Sequence, residues 1–271
     1  MSQYAYDSTV KPLTVNDLAA MKRRGEKITC LTAYDASFSA LIDKAGIDMM
    51  LVGDSLGMVV QGHDTTLPVT INDMVYHARC VSNARRRAFV IADLPFMSYA
   101  TAVVAAENAA RLLQVGGAQM VKLEGPRFEI VSFLVDQGIP VCGHLGLLPQ
   151  LINQLGSYKV QGKEPADAVR IIADAHQLQQ AGAGLLVLEC VPAVLAREIS
   201  AQLSIPVIGI GAGVDCDGQV LVLYDMLNIG IGKRPRFSRN FMQDGATIET
   251  AIHAYHQAVK QSQFPDTEHS F

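Results

Sequence analysis

The sequence predicts an α/β fold, a (β/α)8 TIM barrel, from three observations. Short apolar runs recur along the chain with helix-length polar segments between them, a pattern typical of parallel strands that are buried on both faces. Five of these runs end at an ionisable residue, as expected where the carboxyl ends of barrel strands form one mouth. The length of 271 residues fits one such barrel as easily as two smaller domains. No linker divides the chain, so we expect a single domain over residues 1–271.

Each element of this barrel has its own signal in the sequence. A short helix precedes the barrel, because Thr14 and Asp17 have the spacing of a capping box and Gly25 marks the end. Eight strands are predicted at residues 27–35, 48–54, 88–93, 118–124, 139–144, 184–189, 205–211 and 219–225. The helices between and after them are predicted at residues 37–46, 71–86, 100–115, 127–137, 165–181, 193–202 and 247–262. The polar tail at residues 263–271 is expected to be mobile.

Three connections depart from a regular alternation of strands and helices. The segment from Ser55 to Pro68 has no apolar period and is predicted to be a loop at the barrel mouth. Residues 145–163 form an insertion, and loops of this length inside a compact domain are usually functional. Strands seven and eight are separated by a turn too short for a crossover helix. We therefore expect a shortened connection between these two strands.

Composition and charge restrict the classes of function. The net charge is −4, which does not favour binding to nucleic acid. No apolar run approaches the ~20 residues that a membrane helix needs. Five cysteines without a C-x-x-C pair indicate a reducing compartment and no zinc site, and the N-terminus does not resemble a signal peptide. We expect a cytoplasmic protein. The chain is 49% hydrophobic and only 18% charged, which also favours subunit contacts.

The predicted mouth collects candidates for a metal site. Asp54 and Asp93 end neighbouring strands, and two carboxylates with room for water and a chelating substrate suit Mg²⁺. The alternative is that both aspartates are helix N-caps. Lys122 and Glu124 flank Leu123, so in a strand both would point inward as a charged pair. This pair has two interpretations, a functional one beside the metal and a structural one that only lines the barrel.

Three further features have competing interpretations. Glu189 ends an apolar run, where burial would raise its pKa toward that of a general base, and the alternative is a cap for the helix at 193–202. His144 is a candidate to bind a substrate oxyanion, and the alternative is a histidine whose hydrogen bonds are satisfied within the protein. The glycines at 209, 211 and 213 lack the context of a dinucleotide loop, but would let a flat ligand approach the backbone. Ser55 lacks the G-x-S-x-G context of a nucleophile.

Several longer stretches resemble one enzyme family, ketopantoate hydroxymethyltransferase. They are GDSLGMVVQGHDTTLPVT, IADLPF, VKLEG, GHLGLLPQ, YKVQGK, LVLECVP and IGIGAGVDCDGQVLVLYDML. The resemblance runs from about Thr14 to the HSF at the C-terminus. That family is similar in fold to the phosphoenolpyruvate mutase and isocitrate lyase superfamily, which agrees with the barrel expected from the strand pattern.

The resemblance implies roles for individual residues. Asp54 and Asp93 match magnesium ligands, and Glu124 matches a third acidic position near the metal. Ser55, Asp93 and Lys122 match contacts to the keto acid, and Glu189 matches the proton acceptor. We add Asp54 and His144 to the expected substrate-binding residues.

The same resemblance implies a reaction and an assembly. It is hydroxymethyl transfer from 5,10-methylenetetrahydrofolate to 3-methyl-2-oxobutanoate through a Mg-stabilised enolate, giving 2-dehydropantoate for pantothenate and coenzyme A biosynthesis. The family implies a large homo-oligomer, a homodecamer. One alternative is a carbon–carbon lyase or mutase of the same superfamily, acting on a 2-oxo or 2-hydroxy acid. Such lyases carry K-K-C-G-H, whereas Pro140 and Val141 precede Cys142 here. A non-enzymatic metal-stabilised assembly protein is the other alternative.

Overall fold

A computed structural model describes residues 11–243 and 247–271, and its centre is a closed barrel of eight parallel strands. The strands pair in chain order, and the last closes the barrel against the first. They are β1 (Ile28–Thr32), β2 (Met49–Val52), β3 (Phe89–Asp93), β4 (Met120–Glu124), β5 (Val141–Gly146), β6 (Leu185–Glu189), β7 (Val207–Ile210) and β8 (Gly218–Leu221). The predicted fold class is confirmed.

The helices alternate with these strands and cover the outside of the barrel. They are α1 (Val15–Arg23), α2 (Ala36–Lys44), α3 (Leu56–Val59), α4 (Ile71–Ala84), α5 (Ala102–Gln114), α6 (Phe128–Asp136), α7 (Ile152–Leu155), α8 (Pro165–Gln180), α9 (Ala193–Gln202), α10 (Leu223–Met226) and α11 (Ile248–Lys260). The capping box predicted at Thr14 and Asp17 is present. Thr70 and Asp73 form a second one at the start of α4.

The segment after β8 differs from the prediction. Residues 223–225 were expected to continue the eighth strand, but they lie in α10. The backbone N–H of Leu223 donates to Thr32 Oγ1 at 2.9 Å, so the chain turns away over the end of β1. An apolar run cannot by itself distinguish a buried strand from a buried helix. The predicted mouth loop likewise contains a short helix, α3.

The shortened connection between β7 and β8 is confirmed, and Asp217 organises it. One oxygen of this carboxylate, Oδ2, accepts hydrogen bonds from Lys22 Nζ at 2.7 Å, Ser200 Oγ at 3.0 Å and the backbone N–H of Val207 at 2.8 Å. Lys22 belongs to α1, so the connection and the N-terminal helix are tied together. Leu18 and Met21 of the same helix belong to the hydrophobic cluster inside the barrel. They close the lower end of the barrel, which is the end opposite the predicted mouth.

The C-terminal tail packs against the barrel, and the expectation that it is mobile is wrong. Phe264 is 2% exposed. Its ring lies 5.4 Å from that of Phe241 and 5.9 Å from that of Tyr255, measured between centroids. The rest of the tail is mostly polar, which is why its composition suggested mobility, but the buried ring of Phe264 and a hydrogen bond from Ala193 N–H to the carbonyl of Phe271 at 2.8 Å hold it against the barrel. Among the described residues, no helix has the length and apolar character needed to cross a membrane.

A buried ion-pair cluster lies at the lower end of the barrel, opposite the mouth. Asp48, just before β2, is paired with Arg87 at 2.8 Å and with Lys260 at 2.8 Å. It also accepts hydrogen bonds from the backbone N–H and the hydroxyl of Thr29. Burial favours a higher pKa for Asp48, but Lys260, Thr29 and Arg87 together lower the pKa below its ordinary value. This end of a barrel serves stability rather than catalysis.

We expect Asp48→Asn to lower the free energy of unfolding by about 3 kcal/mol at neutral pH, because it removes the charge that two partly buried cations share. A lowered pKa in the folded state stabilises the protein above the unfolded-state pKa, and the contribution is lost as the pH falls through the folded-state value. Wild type should therefore lose stability below the ordinary aspartate value of 3.8 more steeply than the variant. Urea unfolding across this pH range measures both effects.

Asp136→Asn, at an exposed position, is the matched control. An equal effect of the two substitutions on the free energy of unfolding would contradict the role of Asp48.

Candidate active site at the mouth of the barrel

The carboxyl ends of β2 to β6 bring the predicted polar residues to one mouth. Asp93 and Glu124 end β3 and β4, Asp54 lies just beyond β2, and Glu189 ends β6. The strand register places Asp93 beside Lys122 and Glu124 beside His144 as cross-strand neighbours. The parallel barrel therefore brings together residues that are far apart in the sequence. Five of the ionisable side chains are at most 5% exposed: Asp54, Asp93, Lys122, Glu124 and His144.

Lys122 forms its ion pair with Asp93, with Nζ 2.6 Å from Oδ1. The prediction of a pair between Lys122 and Glu124 is therefore wrong, although both side chains point inward and Leu123 packs outward as expected. Neighbouring strands bring groups closer than two positions on one strand do. Burial disfavours the ammonium, but the charges of Asp93, Glu124 and Asp54 outweigh this and raise the pKa of Lys122. These charges favour the ammonium form of the lysine at the mouth.

Asp54 and Asp93 are in direct contact. The backbone N–H of Asp54 donates to Asp93 Oδ2 at 3.1 Å. Burial, together with the charges of Asp93 and Glu124, raises the pKa of Asp54 well above its ordinary value. The N-caps of the helices that follow are Ser55 and Thr101, so neither aspartate has the capping role considered above. The two carboxylates remain available for chemistry at the mouth.

Ser55 lies beside these carboxylates and is held by a tyrosine. Its hydroxyl is 2.9 Å from that of Tyr34, which is 2% exposed. A Cβ at Gly53 would lie 2.8 Å from Ser55 Oγ and 3.5 Å from Asp93 Oδ2. Glycine is favoured at position 53 because a side chain there would displace the Ser55 hydroxyl. Ser55 is therefore positioned as a hydroxyl group at the mouth.

His144 lies between two glutamates without a hydrogen bond to either. Its Nδ1 is 3.6 Å from Glu124 Oε1 and its Nε2 is 3.4 Å from Glu189 Oε2, separations longer than ordinary hydrogen bonds. Both ring nitrogens are buried and without hydrogen-bond partners, which does not support a histidine satisfied by the protein. Burial and Lys122 oppose protonation, but the two glutamates outweigh them and raise the pKa of His144 to about 9.

Glu189 is the most accessible acid of this group, with a side chain 16% exposed. The next residue, Cys190, has φ of +47°, a left-handed conformation that is unfavourable for a residue other than glycine. Leu147 N–H donates to the carbonyl of Glu189 at 2.8 Å and holds this sharp strand end in place. The N-cap of α9 is Pro192, so Glu189 does not cap that helix. The strained turn directs the glutamate to the mouth.

The glycines after β7 accommodate side chains of the chain itself. A Cβ at Gly211 would lie about 3.0 Å from Phe237 and 3.1 Å from Phe271, and one at Gly213 would lie 2.5 Å from Ala193. This close packing, together with φ of +60° at Gly211 and +85° at Gly213, is a reason within the chain for glycine at both positions. The expected approach of a flat ligand stays a prediction.

Gln150 is a site residue that the sequence analysis did not identify. It lies in a short 3₁₀ helix at 149–151 inside the insertion, is 3% exposed, and contacts both Asp54 and Glu124. The length of the insertion predicted a functional segment, and the GHLGLLPQ stretch within it resembles the family. Neither signal indicated that an uncharged amide would lie among the carboxylates, because that depends on how the insertion folds back over the mouth.

The donor set fits a hard divalent cation such as Mg²⁺. Three buried carboxylates surround one ammonium, so at full ionisation about two negative charges remain to be balanced. Oxygen donors select magnesium or manganese rather than zinc. Across residues 11–243 and 247–271, no three histidine, cysteine, aspartate or glutamate side chains form a ready-made metal cage. Mg²⁺ is commonly bound through one or two carboxylates together with water or substrate oxygens, and Asp54 and Asp93 could supply such carboxylates.

Comparison with known sequences connects this site to one family. The family model of ketopantoate hydroxymethyltransferase matches residues 12–267. The chain is 59% identical to the 3-methyl-2-oxobutanoate hydroxymethyltransferase of Alkalilimnicola ehrlichii, covering 97% of this chain and 96% of that protein. It is 54% identical to 3-methyl-2-oxobutanoate hydroxymethyltransferase 1 of Burkholderia cenocepacia, covering 99% of both chains.

A comparison of folds agrees with the barrel. The crystal structure of 2,3-dimethylmalate lyase, a member of the PEP mutase/isocitrate lyase superfamily, aligns with a TM-score of 0.55. The alignment covers 95% of this chain and 89% of that one, at 17% sequence identity. At this identity the similarity concerns the fold alone.

We expect Lys122→Met to lower the free energy of unfolding of the metal-free protein by about 3–5 kcal/mol, because it leaves buried carboxylates without their cation. Lys44→Met is the matched control. Its ion pair with Glu249 is nearly as short, 2.8 Å, but its side chain is 69% exposed, so its loss should cost ~1 kcal/mol or less. Urea unfolding in chelator measures both. Equal losses in the two variants would show that burial does not determine the strength of the Lys122 pair.

Proposed function

Because this chain belongs to the ketopantoate hydroxymethyltransferase family, we propose that it transfers a hydroxymethyl group to 3-methyl-2-oxobutanoate and forms 2-dehydropantoate in pantothenate biosynthesis. The proposed one-carbon donor is 5,10-methylenetetrahydrofolate. One observation of the structure carries the proposal: three buried carboxylates and an ammonium lie beside a partly exposed glutamate at one mouth. This arrangement suits the removal of a proton next to a carbonyl group.

Asp54 and Asp93 are the proposed holders of Mg²⁺, with Glu124 as the third acidic group near the ion. When bound, the ion would polarise the carbonyl group of the 2-oxo acid and make the hydrogen on carbon 3 more acidic. Both side chains are buried, and the backbone N–H of Asp54 donates to Asp93 Oδ2, so the two residues are held close to each other. Lys122, paired with Asp93 at 2.6 Å, offers positive charge for the substrate carboxylate or the developing enolate.

Glu189 is the proposed general base. It is the acidic group of this mouth that keeps solvent exposure, which leaves it free to take the proton from carbon 3. The resulting enolate carbon forms the new bond to the one-carbon unit of the donor. Water supplies the hydroxyl oxygen, and tetrahydrofolate leaves. His144, whose raised pKa favours the protonated ring, is placed to hold the base, and the Ser55 hydroxyl is placed to bind the keto acid.

We also propose a cytoplasmic location and a homodecamer. All five cysteines are free thiols, which suits a reducing compartment. Large apolar side chains remain exposed on outer helices, among them Val103 at 60%, Val169 at 67% and Val194 at 66%. Subunit contacts in a symmetric assembly would remove such side chains from water.

Sedimentation velocity or light scattering at micromolar concentration should report a mass near ten times the 29.2 kDa of one chain. The outcome that would refute self-association is a monomer of that mass. A smaller closed assembly, such as a dimer or tetramer, would refute the decamer and leave self-association standing.

The catalytic proposal predicts that Glu189→Gln lowers the turnover rate by ~10²–10⁴-fold, with little change in affinity for the keto acid. Exchange of the carbon-3 hydrogen of 3-methyl-2-oxobutanoate for deuterium, measured by NMR without the folate donor, isolates the proton step. Wild type should exchange this hydrogen when Mg²⁺ is present and form 2-dehydropantoate only when the donor is added.

Glu129→Gln, at an exposed position of α6, is the matched control and should exchange at the wild-type rate. If Glu189→Gln also exchanges at that rate, Glu189 is not the base, and Glu124 would be the next candidate for the role. Cleavage of a 2-oxo or 2-hydroxy acid by wild type without the donor, in the absence of hydroxymethyl transfer, would instead support the superfamily lyase or mutase.

A further inference from the structure

The side-chain amide of Gln150 lies among the carboxylates of the mouth, and both its NH₂ group and its oxygen make hydrogen bonds. Its side-chain Nε2 donates to Asp54 Oδ2 at 2.8 Å and to the carbonyl of Leu94 at 3.0 Å. Its backbone N–H donates to Glu124 Oε2 at 3.0 Å. One residue therefore binds two of the three carboxylates assigned to the cation, although these follow different strands. A buried group with all its hydrogen bonds made is held rigidly.

The partners of Gln150 determine which way its amide points. Asp54 Oδ2 and the Leu94 carbonyl are both acceptors, so the NH₂ group must face them. On the other side, Tyr99 OH is 2.5 Å from Gln150 Oε1. Burial raises the pKa of Tyr99, so its hydroxyl keeps the proton and acts as donor. A reversed amide would place oxygen against two acceptors, which leaves one orientation available.

The chemical type of Gln150 is as informative as its position. Lys122 also contacts the acidic cluster, but its ammonium offsets part of the negative charge that attracts a cation. A neutral amide fixes the position of a carboxylate without that loss of charge. Polar groups that orient metal ligands from behind typically contribute a factor of about 10–100 to metal affinity.

We propose that Gln150, oriented by Tyr99, is a positioning residue that holds Asp54 and Glu124 in place for the divalent cation. The inference rests on the proposed function, since it takes the acidic cluster as the cation site. It deepens that function by assigning part of the cation affinity to the insertion at 145–163, which carries Gln150. Tyr99 contributes from the segment between β3 and α5, and its hydroxyl donates to Gln150 Oε1, so we expect most of its effect on the cation site to pass through Gln150.

The test uses direct binding of Mn²⁺, followed by the loss of the EPR signal of the free ion, in the absence of keto acid and folate donor. Gln150→Leu should bind Mn²⁺ about 10–100-fold more weakly than wild type. Tyr99→Phe keeps the ring and removes one hydroxyl, and it should weaken binding by a smaller factor, up to about tenfold. Because Tyr99 acts through Gln150, the double variant should bind no more weakly than Gln150→Leu.

A matched control and the melting temperature in chelator separate positioning from general damage. Gln202 bonds Glu198 at 3.1 Å and lies 2.8 Å from His176 Nε2, but on an exposed helix end, so Gln202→Leu should leave Mn²⁺ binding unchanged. If Gln150→Leu does not fold, the test uses Tyr99→Phe, which removes only one hydroxyl. Its melting temperature in chelator should stay near that of wild type, while its affinity for Mn²⁺ should fall.

The outcomes are distinguishable. Wild type that fails to bind Mn²⁺ would overturn the cation site of the proposed function and this inference with it. Wild type that binds, together with Gln150→Leu and Tyr99→Phe variants of unchanged affinity, would overturn the inference alone. Additive losses in the double variant would show that Tyr99 acts independently of Gln150.

Discussion

The cost of burying acidic groups is the constraint on which this mouth depends. Asp54, Asp93 and Glu124 are each no more than 4% exposed, and a buried carboxylate is unfavourable unless it is paired, hydrogen-bonded or bound to a metal. The Lys122–Asp93 pair neutralises one charge, and Gln150 hydrogen-bonds the other two carboxylates without neutralising them. The remaining negative charge is what a divalent cation would balance. The same uncompensated negative charge would attract a cation and would destabilise the cluster if the cation were removed.

Stability and chemistry are separated along the barrel axis. At the lower end, Asp48 and Asp217 are surrounded by cations and hydrogen-bond donors, and α1 closes the interior with Leu18 and Met21. These groups are satisfied and serve the fold. At the mouth, both nitrogens of His144 remain without hydrogen bonds and Cys190 holds an unfavourable backbone conformation. A barrel anchored at one end can keep unsatisfied groups and local strain at the other.

Much of this organisation could be predicted from the sequence. The period of the apolar runs predicted the eight strands, and the Thr14–Asp17 and Thr70–Asp73 pairs mark the starts of two helices. Parallel strand ends also brought Asp54, Asp93 and Glu124 to one mouth. The errors have physical reasons: residues 223–225 continue an apolar run but turn into a helix, and the polar tail is held by the buried ring of Phe264 and by the hydrogen bond from Ala193 to Phe271. Both depend on contacts distant in sequence.

The sequence by itself determined which residues reach the mouth, because alternation along a strand and the common direction of parallel strands follow from local pattern. It also determined the family, through long stretches of matching residues. Only the tertiary structure decided which groups touch. Strand register paired Lys122 with Asp93 rather than with Glu124, and placed His144 between Glu124 and Glu189. The path of the insertion brought Gln150 to Asp54. Register and loop path are set by the packing of the whole barrel, and no single segment of the sequence contains that information.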